Sequence, residues 1–221
     1  DETQSVSRKY DNLRFTDNEL PIIFNALMKR RELYPFQAEA LLLMMFTGRR
    51  NEETLKIKWS NVDEANGVIT LPRSITKARK EEFIDITPPV ALVLSSLKKH
   101  RENKYQKYRF IDWLFPTLRT NTQRLYDDVY VRSHSTRMKT LRGCWLDLVK
   151  ETGIVGSPKM FRKTFSSLAK LTLGTSSKAR VLTGHEQDAT LDVHYDKTPR
   201  DKAKEYAQEV AKVFHFVKKT G

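Results

Sequence analysis

The run from Phe36 to Phe46, "FQAEALLLMMF", constrains this chain more than any other stretch, because its apolar side chains follow one another almost without a gap. A helix made of such residues has no polar face, so it must be the central buried helix of whatever fold the chain adopts. The run is too short and too interrupted to cross a bilayer, which takes about 20 apolar residues, and no charged-then-apolar leader opens the chain. With 221 residues in all, one ordinary domain is the expectation.

Around that helix the period of the pattern assigns the other elements. "TDNE" offers a capping box between Thr16 and Glu19, and Leu20, Ile23, Phe24 and Leu27 then recur at helical spacing; Pro21 is uncomfortable past the first turn, which shifts the expected helix start by a residue or two. "TGRRNEETLKIKW" follows the buried helix as a turn and a further helix. Two β-rich runs, Val68 to Leu71 and Phe83 to Ile86, flank a basic turn and predict a hairpin or small sheet. Pro88 and Pro89 open another helix, with Val90, Leu92, Val93 and Leu97 as its apolar stripe. Residues 103–135 have no sustained period and predict a long surface connection. Helical spacing returns from Thr136, again in "PKMFRKTFSSLAKLTLG" between Pro158 and Gly174, in "SSKARVLTGH", and from Asp201 to Lys219. The fold class expected is mainly α with a small antiparallel β-sheet, α+β. Residues 1–14 are an arm or linker, 15–200 the main domain, and 201–221 a C-terminal helix.

Charge points to the partner. Forty Lys and Arg against 27 Asp and Glu leave +13, a field that attracts polyanions, so double-stranded DNA leads the candidates. The single Cys144 excludes an internal disulfide and a cysteine-based metal cage, and fits a reducing, cytoplasmic setting with no membrane.

Four separated pieces, "TGRRNEE", "TKARK", "PKMFRKTF" and "TGHEQDATLDVHY", occur in an order that resembles the catalytic domain of the tyrosine recombinases, the phage-integrase family. The resemblance spans about Phe15 to Thr198. It implies that Arg50 in the Thr-Gly-x-Arg-x-x-Glu turn is the first catalytic arginine, braced by Glu53, and that Arg162 is the second. The family lysine is best placed at Lys77, with Arg79 and Lys80 crowding the same turn. Where the family has a histidine three residues before the second arginine, this chain has Lys159, which keeps a positive charge but not a group titrating near neutrality. "LTGH" places the second family histidine at His185, and the nucleophile follows at Tyr195; His194 beside it has no assigned role. Tyr206 is the competing tyrosine, but its position on the apolar stripe of the last helix favours packing.

A phenol with pKa about 10 is a weak nucleophile and a phosphodiester repels anions, so the chemistry calls for fixed positive charge. The resemblance implies that Arg50 and Arg162 grip the phosphate, Lys77 protonates the leaving 5′-oxygen, and a 3′-phosphotyrosyl bond forms at Tyr195 with no metal or other cofactor. Arg49, Arg73, Arg79, Lys80 and Lys163 are expected DNA contacts, with Lys170 and Lys178 as further candidates. The resemblance also implies a tetramer on DNA through the C-terminal segment, with accessory DNA-bending proteins; the same segment suits folding back on its own domain. Family members carry a helical clamp domain before this one, so a catalytic fragment or a short member is expected. The alternatives are a catalytically degraded DNA-binding module, for which Lys159 is the signal, and a type IB topoisomerase-like enzyme.

Overall fold

The computed structural model describes residues 14–104, 111–117, 137–183 and 200–220. The Thr16–Glu19 capping box forms: the Glu19 carboxylate accepts the Thr16 backbone N–H at 2.7 Å and the Thr16 hydroxyl accepts that of Glu19 at 3.3 Å. Helix α1 then runs Glu19–Arg30, so Pro21 stays in the first turn, where no intrahelical donor is lost. Helix α2, Pro35–Thr47, is the apolar run, and every residue except Gln37 is buried. A short helix α3, Asn51–Thr54, and a 3-10 turn, Trp59–Asn61, lead into the sheet.

Three antiparallel strands make that sheet in the order β1, Val62–Asp63, β2, Val68–Leu71, and β3, Glu82–Asp85. Leu71 pairs with Glu82, which closes the β2–β3 hairpin over a ten-residue loop, 72–81. Helices α4, Pro88–Lys99, α5, Arg142–Thr152, α6, Met160–Leu173, α7, Ser176–Thr183, and α8, Arg200–Ala211, complete the fold, and α8 continues into a 3-10 segment, Lys212–Thr220. Helix α2 packs against α1, α4 and α6, which makes it the hub of the core.

The structure departs from the expectations in the connection and at the start of the next helix, and it decides the course of the C-terminal segment. Part of the expected surface connection is core: Leu114 and Phe115 are fully buried, because the Leu114 N–H reaches the Ile57 carbonyl at 2.9 Å and the Trp59 N–H reaches that of Asp112 at 2.7 Å. The helix expected from Thr136 starts at Arg142, since Met138 spends its N–H on the Phe115 carbonyl and Arg137 bridges Pro116. The C-terminal segment belongs to the same core as the main domain. Phe214, 2% exposed, lies 5.2 Å from the Phe46 ring and 6.5 Å from Phe165, and Phe216 lies 5.3 Å from Phe24. In this single chain residues 201–217 therefore fold back on their own domain, where both outcomes had been open.

One carboxylate is carried into the hub. Glu39 on α2 is fully buried, held by Arg31 at 2.6 Å and by the Ser96 hydroxyl. Burial pushes its pKa up to about 7 from 4.5, against the pull of Arg31 and Ser96. The protonated carboxyl is the better-tolerated form, so the stability tied to it is fully present below pH 4.5 and lost as pH rises through about 7. Relative to Glu39→Gln, the wild type should lose about 3 kcal/mol of unfolding free energy across that window, read from urea melts at a series of pH values.

Candidate active site

The C-terminus of α2 begins the site. Gly48 takes φ +64°, which ends the helix in the left-handed cap that glycine adopts without strain, and its N–H still reaches the Met44 carbonyl at 2.9 Å. Arg50 then sits at the N-terminus of α3, two residues beyond the turn. Glu53, one turn on and 1% exposed, accepts the Arg50 backbone N–H at 3.3 Å and one guanidinium nitrogen at 3.1 Å. The same carboxylate accepts the backbone N–H of Lys77 from the hairpin loop at 3.2 Å. Burial works to raise the Glu53 pKa, but the Lys77 N–H, the charges of Arg50 and Arg49 and the Arg50 N–H outweigh it and hold the group below its usual range.

Arg162 arrives from α6. Its Nη1 donates to the Gly48 carbonyl at 3.1 Å, so the turn that aims Arg50 also receives the second guanidinium. Burial and the nearby charge of Arg50, only partly offset by Glu53, bring the Arg162 pKa down to about 9. At neutral pH it is still charged. The charges of Arg50 and Arg49 both bear on Arg162 with Glu53 set against them, so positive charge is in surplus there, and an anion entering would relieve both desolvation and repulsion.

The other expected residues divide by location. Arg73, Lys77, Arg79 and Lys80 are exposed on loop 72–81, which is braced by the Thr76 hydroxyl donating to the Lys80 carbonyl at 2.6 Å. Lys159 is exposed at the N-cap of α6, one turn before Arg162, and Lys163 is exposed beside it. Lys170 and Lys178 are exposed, and the Lys178 ammonium lies 5.6 Å above the Tyr206 ring, which packs against the core. Arg49 is a correction. Expected on DNA, it is 1% exposed, with one guanidinium nitrogen on the Glu82 carboxylate and the other donating to the Phe83 carbonyl at 2.7 Å, so its head points into the protein. His185, His194 and Tyr195 lie outside the described residues.

Two features of the site were missed in the sequence. One is the Gly48 carbonyl as acceptor for Arg162. The other is the pairing of Arg200, at the start of α8, with Asp85 at the end of β3: one nitrogen lies at 3.0 Å, the second reaches the other oxygen, and the guanidinium covers the Phe83 ring at 5.2 Å. The Thr-Gly pair signals the turn, but no local signal identifies which distant side chain its carbonyl receives. Among the described residues no cluster of three or more His, Cys, Asp or Glu side chains is placed to hold a metal, and no helix is long and apolar enough to cross a membrane.

Comparison with known proteins follows the same lines. The phage integrase family model matches residues 14–200. No curated protein sequence matches the chain. Among solved structures, a lambda integrase tetramer bound to a Holliday junction superposes with a TM-score of 0.54 at 15% identity, over 81% of this chain and 48% of that one. A lambda integrase dimer bound to a core site gives 0.54 at 14% identity, over 80% and 59%. The Tn1549 transposon integrase in complex with circular intermediate DNA gives 0.53 at 15% identity, over 87% and 64%. The chain thus spans about half to two thirds of the length of these structures, and the likeness is one of fold.

The shared turn can be tested through its glycine. A Cβ at Gly48 would stand 2.8–2.9 Å from the Phe165 side chain, whereas one at Gly67, with φ +67°, would meet nothing within 4 Å. Gly67→Ala should therefore cost about 1 kcal/mol from backbone strain alone, and Gly48→Ala roughly 2–4 kcal/mol, measured by urea denaturation.

Proposed function

The chain belongs to the phage integrase family, and we propose that it is a DNA strand transferase that cuts and rejoins duplex DNA through a 3′-phosphotyrosyl intermediate. The observation that carries this reading is the convergence of Arg50 and Arg162 on one turn, with Glu53 bracing the first and the Gly48 carbonyl holding the second. A phosphodiester fits that space by charge and by the fork geometry of guanidinium groups. Their positive charge stabilises the extra negative charge of a pentacoordinate phosphorus, and is fixed before the reaction begins.

Tyr195, as the phenolate, forms the new bond to phosphorus while the bond to the 5′-oxygen breaks. The departing oxygen takes a proton from the Lys77 ammonium, whose loop is tied to Glu53 through the Lys77 N–H. His185 hydrogen-bonds the phosphate. Because one ester replaces another of similar energy, a 5′-hydroxyl of another strand reseals the break by the reverse path, and no step calls on ATP or a metal. Exposed Arg73, Arg79, Lys80 and Lys163 grip the backbone, which positions the duplex without reading its sequence.

The solved relatives captured on DNA, one of them as a tetramer on a Holliday junction, support duplex DNA as the partner and a tetramer as the working assembly; accessory bending proteins are a further part of the proposal. Such an enzyme works in the cytoplasm of a bacterial or phage-infected cell. The exposed Lys159, where the family carries histidine, is the one observation that favours the second reading, a DNA-binding module that has lost its chemistry.

Incubation with a pool of nicked duplexes of randomised sequence, followed by denaturation, separates the two. The strand transferase leaves a covalent DNA adduct on Tyr195 that Tyr195→Phe abolishes. DNA binding with no adduct would establish the module instead, and an adduct on Tyr206 would overturn the assignment of the nucleophile. In either reading affinity should fall steeply between 50 and 200 mM salt, by about a thousand-fold if six phosphates are neutralised.

A further inference from the structure

We infer that Arg49 is a positioning residue, which holds the hairpin presenting Lys77 in register with Arg50 and Arg162 and does not touch DNA. The inference rests on the proposed role of Lys77 as proton donor. Arg49 lies between Gly48, whose carbonyl receives Arg162, and Arg50, so its backbone is part of the turn that gathers both guanidiniums. Its side chain has partners of its own. It ends on the Glu82 carboxylate and the Phe83 carbonyl, at the first two residues of β3, where the hairpin loop rejoins the sheet opposite Leu71.

The loop is thus tied to the arginine turn twice. Glu53 holds the Lys77 N–H in its middle, and Arg49 holds its exit five residues later. The Thr76–Lys80 bond closes the loop on itself around Lys77 and ends two residues before Glu82, so a shift of Glu82 is transmitted toward Lys77. Arg49 can serve a carboxylate and a carbonyl at once because its head is a planar fork with donors on both prongs; a lysine in its place is a single point donor on a flexible stem. The Glu82 side chain is only 11% exposed, which makes the tie tight and its loss felt.

The test uses the full chain and two nicked duplexes that differ in one atom. Tyr195 attack on the ordinary substrate expels an alkoxide that needs the Lys77 proton; replacing the bridging 5′-oxygen by sulfur gives a thiolate, which leaves without one. Arg49→Lys should bind DNA like the wild type, yet form the adduct about 10- to 100-fold more slowly in a single turnover at saturating DNA. On the sulfur substrate that deficit should largely vanish, as it should for Lys77→Ala. An undiminished rate on the ordinary substrate, or equal slowing on both, would overturn the inference. If Arg49→Lys does not fold, Glu82→Gln carries the same expectations, since it weakens the same tie from the other side. If the wild type forms no adduct, the strand-transferase reading fails, and amide hydrogen exchange decides the positioning role by itself: the Lys77 amide should exchange faster in Arg49→Lys than in the wild type, and unchanged protection would rule the tie out.

Discussion

A single buried carboxylate, Glu53, joins two distant parts of the chain: it accepts the Arg50 guanidinium from its own helix and the Lys77 N–H from the hairpin. Removing it would leave a partly buried cation without its counter-charge and an amide without its acceptor, and truncation of one buried partner is the damaging case for such groups. The brace is short because it spans only three residues on one side, and it is specific because the other side is 24 residues away. Everything else in the site is arranged around this bond. Gly48 ends α2 so that Arg50 can begin α3, and the Gly48 carbonyl, freed from the helix, is the acceptor for Arg162.

Charge in this region is ordered in two tiers. Arg49 and Arg200 are committed to the acidic residues of β3, Glu82 and Asp85, and serve to lace the sheet to the α2–α3 turn and to the start of α8. At Arg162 burial and the charges of Arg50 and Arg49, only partly offset by Glu53, leave positive charge in surplus and bring its pKa down to about 9. Buried ion pairs of the first kind contribute little net stability against apolar substitutes, so their value here lies in geometry. A surplus of the second kind is one that an incoming anion can cancel.

Much of the fold could be read along the chain. The all-apolar run placed α2 at the centre, where it is buried at every residue but one, and the capping box at Thr16 formed as spaced. The strand at Val68 was found at its expected bounds and that at Phe83 with a shift of one residue, but β1 was not, because two residues are too few to show a period. Leu114 and Phe115 were missed for a related reason: they are buried by pairing with residues 57–59, and long-range pairing has no local pattern. Among the site residues, Arg50, Glu53 and Arg162 were named from the family resemblance, and the structure brings them to one turn.

Arg49 shows where reading by sequence stops. Two adjacent arginines in a basic chain look alike, and both had been taken to face DNA. The chain itself determined the period of each element, the excess of positive charge and the identity of the groups available for chemistry, since these depend on residue type and on neighbours a few positions away. Only the tertiary structure decided that Arg49 is spent on Glu82 and Phe83 while Arg50 pairs with Glu53, because the partners of Arg49 come from a strand 33 and 34 residues distant, and pairing at that range leaves no local pattern.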